Sequence, residues 1–127
     1  MKPFDSFETF YPYYLSEHRD GTCRLLHFVG TTGVVAVAIM AALKGDWRYL
    51  LLTPVIGYGF AWVGHFFFEH NRPATFTYPS WSLRGDFVMF GDILLGQVPL
   101  LGSLPESHFA EQIRPYQLDQ PTSDSGA

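Results

Sequence analysis

The stretch Leu25–Leu43, LLHFVGTTGVVAVAIMAAL, decides how the rest of the chain is read: 19 consecutive residues carry no charged side chain, and His27 is their one ionisable group. Tyr49–Phe68, YLLLTPVIGYGFAWVGHFFF, repeats the pattern over 20 residues, with His65 as its one histidine and again no charge. Between them lies Lys44-Gly45-Asp46-Trp47-Arg48, short, polar and turn-prone. A bilayer core takes about 20 apolar residues of helix. Two such stretches joined by five residues therefore predict a membrane helical hairpin. The alternative, a pair of buried helices in a soluble bundle, is compatible with a mean hydropathy of only +0.06.

Composition points the same way. The chain has 127 residues, enough for one domain with a core of moderate size. Charged residues make up 16% and aromatic residues 17%, against about 25% charged in an ordinary soluble domain. Eight Lys and Arg against twelve Asp and Glu give a net charge of −4 with no basic block. That argues against nucleic acid as a partner, because phosphate binding needs clustered cations. One cysteine, Cys23, excludes an internal disulfide framework and any CxxC metal knuckle. Met1–Leu15 is aromatic and acidic, so no signal peptide is read there.

The two apolar stretches carry small residues where close helix packing needs them. Gly30, Gly33 and Ala36 lie on the first, with Gly57, Ala61 and Gly64 on the second. Gly57 and Ala61 share a face, in the small-xxx-small spacing that lets membrane helices approach closely. Pro54 is expected to bend the second helix and Pro73 to end it. Phe4, Phe7, Phe10, Tyr11 and Tyr14 form an aromatic stripe, interrupted by Pro12, that reads as an interfacial or packing face. Tyr78 and Trp81 suit headgroup depth. Phe87–Leu104 reads as an amphipathic or half-inserted helix. The expected fold class is all-α: a membrane helical hairpin with flanking amphipathic or interfacial helices. Residues 1–116 form one helical membrane domain with spans at about 25–43 and 49–68, and residues 117–127 a disordered tail. Arg19, Arg24, Arg72 and Arg84 on the side of the termini, against Lys44 and Arg48 in the loop, orient both termini to the cytoplasm.

The hairpin brings distant histidines together. With the turn near Gly45, His27 lies 18 residues before it and His65 lies 20 after it. At 1.5 Å per residue both sit roughly 27–30 Å from the turn, hence at nearly one depth. His18 reaches the same level if Asp20-Gly21 turns the chain back; on one continuous helix, His18 and His27 would point to opposite faces. His65 and Glu69 are four apart and share a helical face. Three histidines and a carboxylate thus converge at one membrane boundary, a plausible divalent-metal site. Imidazole suits zinc, iron, copper and nickel, and two histidines with one carboxylate form the non-haem Fe(II) oxygenase arrangement. Each histidine has a bland alternative as a hydrogen-bonded packing residue, and depth in an apolar run favours the functional one. Glu69 reads as a ligand or an outer partner, or alternatively as a snorkelling surface carboxylate. His70 falls off that face, His108 beside a polar tail is solvated, and Cys23 is a small buried thiol. No HExxH, GxSxG or Walker loop is present, nor the HxxxH and HxxHH boxes of membrane di-iron enzymes.

Two segments resemble a known family. The first is Phe10-Tyr11-Pro12-Tyr13-Tyr14 leading into His18, followed by His27-Phe28-Val29-Gly30; the second is Gly64-His65-Phe66-Phe67-Phe68-Glu69-His70-Asn71-Arg72-Pro73-Ala74, followed by Tyr78-Pro79 and Trp81-Ser82-Leu83. Together they resemble the small membrane family of fungal-type 2-hydroxy fatty acid dioxygenases, which act in phytosphingosine breakdown and include bacterial members of unknown function. The resemblance covers roughly residues 7–100. It implies an Fe(II)-dependent α-oxidation in which a 2-hydroxy fatty acid and O2 give the one-carbon-shorter acid and CO2. The family's histidines carry over to His18, His27 and His65, and its acidic position to Glu69. Arg72 or Arg84 would pair with the substrate carboxylate, or alternatively bind lipid phosphate or stay solvated at the interface. Membrane lipid and a homo-oligomer are the further partners expected, since two helices alone bury little. A non-catalytic membrane scaffold with a structural metal, and a zinc-dependent lipid hydrolase, are the competing readings.

Overall fold

The computed structural model describes residues 4–73 and 77–105; His108 and the expected tail at 117–127 lie outside the described residues. The described residues are helical, with no strand among them: α1 (Phe7–Ser16), α2 (Gly21–Lys44), α3 (Thr53–Val63) and α4 (Pro79–Leu94). A 3-10 segment, Trp47–Leu52, precedes α3, and a π-helical turn, Gly64–Glu69, continues it.

Local chemistry sets each boundary. The Asp20 side chain accepts the Cys23 amide at 3.0 Å, capping the first turn of α2. Gly45 closes the same helix at φ +62°, a left-handed conformation that glycine adopts without steric cost. In the hairpin turn the Asp46 carboxylate accepts both the Arg48 amide and its guanidinium. The second rod was expected as one helix bent at Pro54. It is instead three windings end to end, and Pro54 stands in the first turn of α3. There the missing N–H costs no intrahelical bond, so the proline starts a helix rather than kinking one. The rod also stops short of Pro73. Its π turn ends at Glu69, and His70, at φ +59°, reverses the chain.

The hairpin packs backbone to backbone. A Cβ on Gly30 would stand 3.0 Å from Phe60 Cβ, and one on Gly64 would meet the Cys23 Sγ, Cα and carbonyl oxygen at 3.0–3.3 Å. The small residues are thus the contact surface between α2 and α3, as their spacing implied. The outer faces stay apolar and open: Leu43 is 83% exposed, Val55 72% and Phe67 69%. Both rods, Gly21–Lys44 and Trp47–Glu69, are long and apolar enough to cross a membrane.

The buried core lies to one side of the hairpin. Phe4, Phe7, Phe10, Tyr14 and Leu15 pack with Met89, Val98 and Leu104, so the aromatic stripe of α1 is a packing face against α4 and the segment after it. Tyr78 and Trp81 stack on each other and both lie against Phe10. The helix expected over Phe87–Leu104 begins eight residues earlier, at Pro79, and ends at Leu94. Gly96 and Gly102, at φ +77° and +83°, turn the chain beyond it. The apolar character of that segment serves the core, through Val98 and Leu104.

The glycine contacts predict a contrast. Gly64→Val forces α2 and the π turn apart and lowers stability by about 1–3 kcal/mol. Gly59→Ala, where a Cβ meets nothing within 4 Å, is neutral or slightly stabilising, because alanine is the better helix former. Thermal unfolding of both variants in detergent measures the difference.

Candidate metal centre

The chain leaves α1 in a tight turn, with the His18 amide bonded to the Leu15 carbonyl at 3.0 Å, and re-enters helix at Asp20. This is the reversal the histidine spacing required. It brings His18 alongside His27 on α2 and His65 on the π turn. Ring centroids lie 4.4 Å apart for His18 and His27, 4.5 Å for His18 and His65, and 4.8 Å for His27 and His65. The rings stand at 74–89° to one another. All three side chains are buried, and their candidate ligand nitrogens fall within 4.8 Å of each other.

The partners of the other ring nitrogens fix the chemistry. His18 Nδ1 lies 2.6 Å from the Tyr14 carbonyl oxygen, and His27 Nδ1 lies 2.9 Å from that of Cys23. His65 Nδ1 lies 2.7 Å from Asn71 Oδ1. Backbone carbonyls only accept, so Nδ1 carries the proton in His18 and His27. The Asn71 amide nitrogen donates to the Glu17 carbonyl and carboxylate, which turns its oxygen towards His65. Each imidazole is therefore held with Nδ1–H outward and the Nε2 lone pair inward. Nε2 of His18 and Nε2 of His27 face each other at 3.0 Å. Two lone pairs at that separation repel unless a cation or a proton lies between them. Burial, with the neighbouring imidazoles, holds His18 well below the usual histidine range, which disfavours the proton. Two bonds of about 2.1 Å meeting near a right angle span about 3.0 Å. The residues present thus fit a divalent transition metal.

Glu69 does not join this group. Its carboxylate accepts the backbone N–H of Asp20, at the start of α2. The unpaired amides and the positive dipole end of α2 compete for that carboxylate and win it. The contact ties the π turn to the turn that carries His18. Arg24 ties the same turn from the other side. Fully buried, it donates to the carbonyls of His18 at 2.9 Å, Arg19 at 2.7 Å, Pro99 at 2.9 Å and Gly102. In the sequence Arg24 stands out only as an orientation charge, and Asn71 does not stand out at all. A buried charge at the edge of an apolar helix was the available signal for Arg24. Asn71 had none, because its role depends on the reversal at His70.

A groove of about 200 Å³ leads from His27 between α3 and α4, over α2. Asp86 lines it, and lines the smaller cavity beside His27 and His65. The Tyr14 hydroxyl donates to Asp86 Oδ1, and the Tyr14 ring stacks on His18 at 4.1 Å. Burial pushes the Asp86 carboxyl up to about 7, against the hydrogen bond from Tyr14, which draws it down. The two arginines expected at the substrate carboxylate lie elsewhere. Arg84 rests over the Phe7 ring at 4.2 Å, and Arg72 lines an open depression with Phe66, His70 and Asn71. Neither borders the groove.

Replacing Asn71 by Ala removes the acceptor from His65 Nδ1 and frees that ring to rotate. We expect metal affinity to fall by about 10–100-fold with helix content unchanged. Competition against a chelator of known affinity, alongside circular dichroism, tests this.

No curated protein and no solved structure gave a significant match to the chain. A family model did: 2-hydroxy-palmitic acid dioxygenase Mpo1-like, over residues 4–98. The matched region takes in His18, His27 and His65, along with Asn71 and Asp86. The chain belongs to the 2-hydroxy-palmitic acid dioxygenase Mpo1-like family.

Proposed function

We propose that this protein is an integral membrane, Fe(II)-dependent dioxygenase that converts a 2-hydroxy fatty acid and O2 to the one-carbon-shorter acid, CO2 and water. The observation that carries the reading is the inward convergence of three buried Nε2 lone pairs at the head of an apolar groove. The reaction closes without a further reductant. Breaking the bond between C1 and C2 while oxidising C2 to a carboxyl and C1 to CO2 releases four electrons, and O2 takes four. An amphiphile with a polar head and an apolar tail matches a site whose head is imidazole and carboxyl and whose walls are largely apolar.

His18, His27 and His65 would hold the metal, which when bound supplies the redox capacity and the common point at which substrate and O2 meet. The chain's own contribution is positional. Tyr14 and Cys23 carbonyls and Asn71 keep the imidazoles in one tautomer and one orientation. The Tyr14 ring against His18 and the Cys23 thiol near His27 keep water from that side. Glu69 and Arg24 hold the His18 turn in register with α2. We assign Glu69 to this positioning role, acting on the centre through Asp20. For the substrate carboxylate, Arg72 is the better placed of the two arginines. It lies between Asn71, bonded to His65, and Pro73, which lines the cavity shared by His27 and His65. Both termini are assigned to the cytoplasm by the arginine bias.

Two experiments test the reading. Protein purified without oxygen contains about one iron per chain and converts 2-hydroxypalmitate to pentadecanoate, with ¹⁸O from labelled O2 in the product. His65→Ala loses both the iron and the conversion, and a variant still active without His65 rejects the assignment. Zinc in place of iron would favour hydrolysis by a metal-bound water. In cells, alkaline carbonate leaves the protein in the membrane pellet; its release would place the exposed apolar faces against another protein instead of lipid.

A further inference from the structure

The groove beside the three imidazoles has a polarity gradient along its length. Its head carries His27 and Asp86; its body is made by Thr31, Gly57, Ala61 and Phe87; Val34 and Pro54 line its far end. From His27 to Val34 is seven residues of α2, about 10 Å at 1.5 Å per residue. Leu83 and Phe87 of α4, at its rim, are 49% and 44% exposed, among the apolar surfaces that face outward.

Asp86 is the one carboxylate on the groove wall. Its Oδ1 accepts from Tyr14, while Oδ2 has no hydrogen-bond partner among the described residues. The side chain cannot easily turn away. A Cβ on the neighbouring Gly85 would stand 2.9–3.1 Å from the Tyr14 ring, so α4 sits directly on that ring beside Asp86. That acceptor oxygen is open to the head of a largely apolar channel, and the metal-binding imidazoles cannot donate to it, their Nδ1 protons being already given to Tyr14, Cys23 and Asn71.

We propose that the substrate binds in this groove with its 2-hydroxyl donating to Asp86 and the first part of its acyl chain running along α2 and α3 towards Pro54. The pose rests on the reaction proposed above. It makes Asp86 the residue that tells a 2-hydroxy acid from an unsubstituted one, because the plain acid leaves the Asp86 oxygen unpaired. The groove is too small for a whole long-chain acid, so the tail continues past Leu83 and Phe87 into the surrounding lipid. Groove length then sets a minimum useful chain length more sharply than a maximum.

Binding measured in detergent without O2 tests the pose separately from the chemistry. Displacement of a fluorescent fatty acid by 2-hydroxypalmitate and by palmitate gives the preference for the hydroxyl, expected at about 10–100-fold for a bond to a carboxylate. Asp86→Asn still offers Tyr14 an acceptor oxygen but presents an amide where Oδ2 stood, and it should lose most of that preference while keeping its metal. Val34→Phe fills the far end of the groove and should weaken 2-hydroxyoctanoate and 2-hydroxypalmitate alike, about tenfold, a cost typical of overpacking one site, while sparing 2-hydroxybutyrate, which does not reach it. An undiminished preference in Asp86→Asn, or binding of 2-hydroxyoctanoate and 2-hydroxypalmitate unchanged by Val34→Phe, overturns the pose. Should a variant fail to fold, photolabelling of the unaltered protein decides. A 2-hydroxy acid with a diazirine on its first carbons past C2 should label Thr31–Val34 or the facing part of α3, whereas labelling confined to outer positions such as Leu43 and Phe67 overturns the pose. The proposed oxidation has its own readout, product formation, so hydroxyl-selective binding without turnover would retain the groove and reject the reaction.

Discussion

The arrangement of the whole molecule follows from one electrostatic constraint: inward-facing imidazole lone pairs only 3.0 Å apart cannot be left to themselves. Each ring is denied the easy escape of flipping or changing tautomer, because its outer nitrogen is already committed to a fixed acceptor. The acceptors sit on α1, on α2 and just beyond the π turn, so three separate stretches of backbone must be held in register for the centre to exist. Much of the rest of the fold does that holding. Asp20 caps α2, Glu69 bonds to the Asp20 amide, Asn71 bridges His65 to Glu17, and Arg24 gathers carbonyls from the His18 turn.

The π winding at Gly64–Glu69 belongs to the same constraint. A π turn fits an extra residue into a helix and rotates the residues beyond it, and such turns recur where a side chain must be aimed at a function. Here the turn carries His65, and Gly64 lets it lie against Cys23 with no intervening side chain. The outer faces of the same rods stay apolar and exposed. The hairpin therefore presents one surface to its surroundings and reserves the other for a small polar centre, with the aromatic core of α1 and α4 set beside it.

Much of this is legible in the sequence. Two charge-free stretches around Lys44–Arg48 gave the hairpin, because charge is costly in an apolar medium and its absence over 19 and 20 residues has few other causes. Counting residues from Gly45 brought His27 and His65 level, since helical rise is nearly constant. Asp20-Gly21 gave the reversal at His18 because turn chemistry is local. Long-range competition was not legible. Nothing in the spacing of His65 and Glu69 says that the amide of Asp20 takes the carboxylate, and nothing in Asn71 says which ring it will orient. The helix at Phe87–Leu104 was misplaced because an apolar run reads alike whether it lies in a helix or, like Val98 and Leu104, fills a core from an irregular segment. Pro54 was misread for a related reason: a proline starts a helix as readily as it bends one, and only the 3-10 winding before it decides which.

The bonds from Arg24 to Pro99 and Gly102 tie events that are far apart in time. During synthesis the hairpin and its histidines leave the ribosome well before those two carbonyls do. Until they arrive, the guanidinium has only part of its acceptor set and the His18 turn lacks its outer brace. The candidate metal centre is thus braced by carbonyls at Pro99 and Gly102, outside the segments that own its ligands. A metal ion held by these histidines would on this scheme find its firm seat only after residues 99–102 have joined the His18 turn.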